Sequence, residues 1–334
     1  MEPNLIKALP NPIIKFFAKP YIGGDSEDKV ITTAQKIYND KKYLSTLDAL
    51  GEDIRATKDI NVFVSIYLAL AQKISKLEIF PDNYTQPSIS LKPSCFIITE
   101  KNPDGSLNEK KMDWEGCYDN IYKICSYAKE RNVRVTVEME DRYWTEFTLK
   151  TYIRLLDAGL DNVGTVLQTR LFRSKKDLER LDSRSRVRVV IGIYNEPPEV
   201  ALTDKKQMKD LMIDYSKNLI EKGVFVEFAT HDDDYIKKFL EQVIIPNNIS
   251  SDKYEIQMLL GVPRENIQEE LMSGKYLENL LEGKTSSIEN KKINFRLYLP
   301  FAQNWENALA YCKRRLIENP NIAAYGLKNF IFRK

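Results

Sequence analysis

Residues 133–142 read VRVTVEMEDR, 143–162 read YWTEFTLKTYIRLLDAGLDN and 163–168 read VGTVLQ. The first stretch is a strand over 133–139 that stops on the polar Glu140-Asp141-Arg142. The second carries a helical repeat over 145–158, and the third is a second strand. A strand, a crossover helix and a strand of this kind make a parallel pair joined right-handedly.

The same unit repeats in both directions. Upstream, a helix over 28–42 places Val30, Ile31, Ala34, Ile37 and Tyr38 on one face. A strand over 45–50 ends at Gly51-Glu52-Asp53, and a helix over 58–76 is apolar at Val62, Val64, Tyr67, Leu68 and Leu70. A strand over 88–92 is closed by Pro93, and a helix covers 113–130. Downstream, helices over 175–181, 205–222, 234–242 and 266–273 alternate with strands over 187–192, 224–229, 254–260 and 293–299. A polar loop runs through Gly283 to Ser287, and a last helix begins near Trp305. Eight strands without a linker point to an α/β fold, a closed (β/α)8 TIM-type barrel. A doubly wound sheet in two domains is the competitor, weakened by the lack of Gly-x-Gly-x-x-Gly after any strand. Residues 1–44 form an N-terminal helical segment and 45–334 the barrel.

The chain has 334 residues, 43% hydrophobic and 29% charged, with a net charge of +2. That balance speaks against a nucleic-acid binder. Four cysteines without CxxC spacing point to a reducing, cytoplasmic setting. The single histidine, His231, disfavours a multi-histidine metal hydrolase, and no Gly-x-Ser-x-Gly elbow supports a serine triad. No run of eighteen apolar residues would span a membrane, so any membrane contact is peripheral, through 12–21 or 325–332. Residues 12–21 otherwise read as a short helix packed on the domain.

Chemistry in such a barrel collects at the C-terminal strand ends. Those ends offer Lys92, Asp141, Gln168, Arg188 with Tyr194, Thr230 with His231, Gln257 with Leu259, and Arg296 with Tyr298. This crown suits an anionic organic substrate and a large polar cofactor, and it has no metal-ligand cluster. On the last helix Tyr311, Arg314, Arg315 and Glu318 fall at i, i+3, i+4 and i+7, so they share a face. Two arginines beside a tyrosine form a fork for a small carboxylate.

These residues resemble the proline dehydrogenase family over 45–321. The matching stretches are Thr46-Leu47-Asp48-Ala49-Leu50-Gly51-Glu52, Ile89-Ser90-Leu91-Lys92, Val137-Glu138-Met139-Glu140-Asp141 and Val166-Leu167-Gln168. Further on come Arg188-Val189-Val190-Ile191-Gly192-Ile193-Tyr194, Phe228-Ala229-Thr230-His231, Tyr254-Glu255-Ile256-Gln257-Met258-Leu259 and Arg296-Leu297-Tyr298-Leu299-Pro300. The last is Tyr311-Cys312-Lys313-Arg314-Arg315-Leu316-Ile317-Glu318-Asn319. The resemblance implies a distorted barrel with the last helix over the strand C-terminal ends. It also implies FAD, held non-covalently and preferred to FMN, oxidation of L-proline to 1-pyrroline-5-carboxylate, and electrons passed to a membrane quinone. By the same resemblance Lys92, Arg314 and Arg315 clamp the substrate carboxylate, with Asp141 and Glu318 as counter-charges. Tyr194, Tyr298, Tyr311 and Leu259 wall the ring pocket. Gln168, Arg188 and Gly192 lie on the flavin side, and Thr230 and His231 contact the rest of the cofactor.

The chain departs from the family at three places. Ile191 stands for a usual lysine, Ile193 for a small alanine and Arg170 for an aromatic residue. The first two leave open a flavin-free barrel with a binding role. Hydroxyproline is the rival substrate, and the resemblance implies that a tyrosine at Tyr298 leaves no room for a ring hydroxyl and so favours proline.

Overall fold

A computed structural model of the chain describes residues 10–51, 54–283, 288–303, 309 and 312–313. Eight strands follow one another around a closed barrel: β1 (Leu44–Ala49), β2 (Ser88–Leu91), β3 (Val135–Val137), β4 (Val163–Gln168), β5 (Arg186–Val190), β6 (Phe225–Ala229), β7 (Tyr254–Leu259) and β8 (Phe295–Phe301). Every neighbouring pair is parallel, and β8 closes on β1 with Leu44 opposite Arg296 and Ala49 opposite Phe301. The helices are α1 (Asn11–Ala18), α2 (Glu27–Lys41), α3 (Thr57–Ile74), α4 (Trp114–Lys129), α5 (Thr145–Asp157), α6 (Ser174–Asp177), α7 (Lys205–Glu221), α8 (Asp233–Phe239), α9 (Glu265–Ser273) and α10 (Lys275–Leu281). The barrel read from residues 133–168 is the fold observed.

Three local readings change. The loop expected after residue 273 contains α10, separated from α9 by Gly274 at φ 88°. Two helices of about two turns each, split by a left-handed residue, leave too short a repeat to read as helix. β8 continues to Phe301, so Arg296 lies near its start, and the crown loses that residue. Val62, read on the buried face of α3, is 51% exposed; Ile60, Phe63, Val64, Tyr67 and Leu70 are buried there instead.

The helix expected from near Trp305, with Tyr311, Arg314, Arg315 and Glu318, lies outside the described residues apart from Leu309, Cys312 and Lys313. Cys312 is buried in a cluster with Leu50, Leu259 and Ala302, which sit just at or after the ends of β1, β7 and β8. Ile14, Ala18 and Tyr21 belong to the same cluster, so α1 packs at this mouth, leaving Ile13 and Phe16 exposed.

Alternation along the strands separates two interiors. Leu47, Ile89, Leu91, Val135, Val137, Leu167, Val189, Phe228, Ile256, Met258 and Leu299 point outward into the annulus beneath the helices, and all are buried. Burial of this kind contributes about 1.5–3 kcal/mol per large side chain. The opposite face fills the lumen with charge rather than with the branched aliphatics usual in such barrels. Arg186 donates to Glu227 at 2.5 Å and to the Val135 carbonyl at 2.7 Å. Arg296 donates to Glu255 at 2.7 Å and to the Ser45 carbonyl at 2.8 Å. Tyr84, from the loop before β2, donates to Glu255 at 2.9 Å, and its carbonyl accepts from Arg296 at 3.1 Å.

Room for Arg186 comes from Gly164 on β4, where a Cβ would stand 2.7 Å from the guanidinium carbon. Arg186 is tied on several sides and cannot retreat. Gly164→Ala is therefore expected to destabilise by about 1–3 kcal/mol, read from a lower urea midpoint at unchanged m value.

Burial alone would raise the Glu227 carboxyl, but the guanidiniums of Arg186, Arg188, Arg134 and Arg296 overcome it and hold it at about 2, below its ordinary 4.5. A carboxylate depressed on folding stabilises fully above its unfolded value and loses that contribution as pH falls through the folded one. Roughly 3 kcal/mol is thus expected to drain between about pH 4.5 and 2. Urea unfolding at pH 6 and pH 3 checks this: Glu227→Gln is less stable at pH 6 and changes less between the two.

Candidate active site

At the C-terminal mouth two charged pairs and one tyrosine form a continuous floor. Lys92, the residue after β2, is buried and donates to both oxygens of Asp48 on β1, at 2.8 and 2.7 Å. Pro93 ends β2 and forces Lys92 into an extended conformation, φ −102° and ψ 127°, so the side chain enters the lumen. Burial alone would lower the Lys92 ammonium, but the adjoining Asp48 carboxylate raises it instead. Asp48 is itself raised by its burial, with Lys92 pulling the other way. The bidentate contact fixes the pair as ammonium and carboxylate.

Next to it Glu138, which follows β3, accepts from Ser90, from Arg188 Nη1, and from the Tyr298 hydroxyl at 3.2 Å. Arg188 on β5 also donates from Nε to Gln257 Oε1 at 2.7 Å, and its guanidinium lies 5.1 Å from the centre of the Tyr298 ring. Burial would lower the Arg188 charge, yet Glu138 and Glu227 raise it, so it stays a cation.

The loop after β5 carries Gly192 and Tyr194. Gly192 has φ 92°, and a Cβ there would run into Gln168 Oε1, so bare backbone faces that amide. Glu196 straps the loop to the end of β3, accepting from the Arg142 N–H at 2.7 Å and from its guanidinium at 2.9 Å. Arg170 donates to the Tyr194 carbonyl. Thus the arginine that stands for an aromatic residue holds this loop from the β4 side.

Comparison with known proteins adds an independent line. The family model described as proline dehydrogenase matches residues 30–193. Proline dehydrogenase 1 of Bacillus subtilis (strain 168) is 28% identical over 316 residues, covering 94% of this chain and 90% of that protein. Proline dehydrogenase of Deinococcus radiodurans is 28% identical over 319 residues, with the same two coverages. The chain is similar to proline dehydrogenases over nearly its whole length. Its enzyme class is therefore oxidoreductase. Solved structures agree on the fold. Proline utilization A from Bdellovibrio bacteriovorus, inactivated by N-propargylglycine, superposes with a TM-score of 0.73 at 20% identity, covering 95% of this chain. The chain spans about a third of that much longer protein, 34% of its length.

Of the residues that the family resemblance named, Lys92, Arg188 and Tyr298 are brought together through Asp48 and Glu138, and Gln168 meets Gly192. Thr230 and His231 follow β6, and His231 Nε2 accepts from the Leu259 N–H at 3.4 Å, joining the β6 and β7 ends. Tyr194 is half-buried on its strapped loop. Asp141 accepts from the Tyr143 N–H at 2.9 Å, and its carboxyl is raised by burial. Arg314, Arg315, Tyr311 and Glu318 lie outside the described residues.

Two residues of the floor were missed from the sequence, Asp48 and Glu138. The acid paired with Lys92 is Asp48. The signal was present: Thr46 and Asp48 are the polar alternates of an apolar strand, spaced to share one face.

A flavin fits this mouth on two observations. Gln168 Oε1 and Arg188 Nη2 are buried polar atoms without a hydrogen-bond partner among the described residues, one acceptor and one cationic donor. Buried polar groups seldom stay unpaired, and an isoalloxazine edge presents the complementary N–H and carbonyl groups. Ile191 is half-buried against the apolar core, so the lost lysine leaves no hole.

Proposed function

We propose that the chain oxidises L-proline to 1-pyrroline-5-carboxylate with non-covalently held FAD, and that a membrane quinone takes the electrons. The observation that carries this reading is the floor of Lys92–Asp48 and Glu138–Arg188 beneath Tyr298, beside the unpaired Gln168 and Arg188 atoms. It has one cation for a carboxylate and another for charge developing on a cofactor. When bound, FAD supplies the hydride acceptor.

Lys92, with Arg314 and Arg315, binds the proline carboxylate and fixes the ring in reacting geometry. Asp48 keeps Lys92 charged and aimed. Tyr298, Leu259, Tyr194 and Tyr311 enclose the ring and exclude water. Arg188 faces the developing negative charge, oriented by Glu138 and Gln257. The amine proton leaves to solvent, since the floor's two carboxylates are engaged with Lys92, Ser90, Arg188 and Tyr298. Residues 45–334 act as the catalytic unit. A cytoplasmic chain in peripheral membrane contact would meet its quinone there, and no helix among the described residues is long and apolar enough to cross a membrane.

Mass analysis tests the reading. Cofactor released by boiling should have the mass of FAD, and L-proline incubated with the protein and a quinone should yield a product lighter by two hydrogens. Release of no flavin, or substrate mass unchanged, would overturn it.

A further inference from the structure

Glu140 is a buried acid, 4% exposed, that the proposed chemistry does not use. Its Oε1 accepts from the Ser94 N–H at 2.9 Å and its Oε2 from the Ser94 hydroxyl at 2.6 Å. Ser94 is the second residue after Lys92, inside the tight turn Pro93–Cys95. The Cys95 N–H closes this turn on the Lys92 carbonyl at 3.0 Å, and Cys117 of α4 donates to the Pro93 carbonyl at 3.4 Å. Glu140 is itself pinned, because its carbonyl accepts from Gln168 Nε2 at 2.5 Å.

Hydrogen bonds therefore tie Gln168 to the Glu140 carbonyl, Ser94 to the Glu140 carboxylate, and Cys95, the residue after Ser94, to the Lys92 carbonyl. Hydrogen bonds to an ionised carboxylate are short and directional, and a buried one must be satisfied. A carboxylate that grips both donors of one serine fixes that turn's position and orientation. The Lys92 ammonium, at the far end of four methylenes, inherits whatever error the turn allows.

We propose that Glu140 is a positioning residue, holding the Lys92 turn so that the ammonium meets both Asp48 and the substrate carboxylate. The inference rests on the reading of Lys92 as a substrate clamp.

Glu140→Ala and Glu140→Gln in the flavin-loaded enzyme test it. Glutamine keeps both contacts: its carbonyl accepts from the Ser94 N–H and its amide donates to the Ser94 hydroxyl. In Glu140→Ala the proline KM should rise about tenfold or more with kcat within about threefold, and Glu140→Gln should bring KM back to within about twofold. In a crystal structure of Glu140→Ala, Lys92 Nζ should leave at least one Asp48 oxygen. Wild-type KM in Glu140→Ala, or an unmoved Lys92–Asp48 pair, overturns the proposal. If the unsubstituted protein does not oxidise proline, the proposed function fails, and the crystal structure alone decides on Glu140. Should Glu140→Ala not fold, Ser94→Ala removes only the hydroxyl contact. A rise of about threefold in KM supports the proposal, and no rise overturns it.

Discussion

Replacing Lys92 by methionine is expected to raise the proline KM by about 10–100-fold while leaving the flavin absorbance unchanged. The estimate follows from the loss of one charge-assisted hydrogen bond to the substrate, about 1.5–3 kcal/mol. The same change leaves Asp48 buried without its cation. Breaking a buried pair from one side costs about 3–5 kcal/mol, so the variant should also unfold at lower denaturant. The double variant Lys92→Met with Asp48→Leu separates the two effects, since it removes the orphaned charge. It should recover most of the stability and none of the substrate affinity. Steady-state kinetics and urea unfolding of the three proteins together read this out.

Arg188→Met is expected to act on the other parameter. Its partners are Glu138, Gln257 and the Tyr298 ring, with Glu227 at 3.5 Å. None of them is proposed to hold the substrate carboxylate. In the proposed mechanism Arg188 stabilises charge that appears only as the reaction proceeds, so kcat should fall with little change in KM. Removal of one such preorganised donor typically costs about 10²–10³ in rate. Anaerobic stopped-flow reduction by proline measures that step directly. A variant whose KM rises while its limiting rate holds would contradict the assignment and move Arg188 into the substrate clamp.

The barrel was legible because each strand is a short apolar run with a polar stop, and each helix a separate amphipathic repeat. Residues 133–168 already contained one complete unit with two strands, and six more strands repeated it. What periodicity could not supply was which side of a strand faces the lumen. In ordinary barrels that face is aliphatic, whereas here it carries Asp48, Glu227 and Glu255, with Glu138 just after β3. They are the acids that neutralise Lys92, Arg188, Arg186 and Arg296, and pairs formed across strands far apart in the chain leave no local spacing to read. Arg296 was misplaced for a related reason: an arginine near a strand end gives no sign of which end it occupies. α10 was lost at Gly274, where one left-handed residue halves the repeat. Arg170 gave an opposite lesson. It is a departure from the family pattern, and its contact with the Tyr194 carbonyl gives it a structural task on that loop.

The central claim is that this mouth holds a flavin and delivers L-proline to it. Anaerobic titration of the purified protein with L-proline tests that most directly. The expected result is a yellow protein whose flavin absorbance is bleached by about one equivalent of L-proline and restored by a quinone. A protein that carries flavin yet stays yellow with excess L-proline would contradict it.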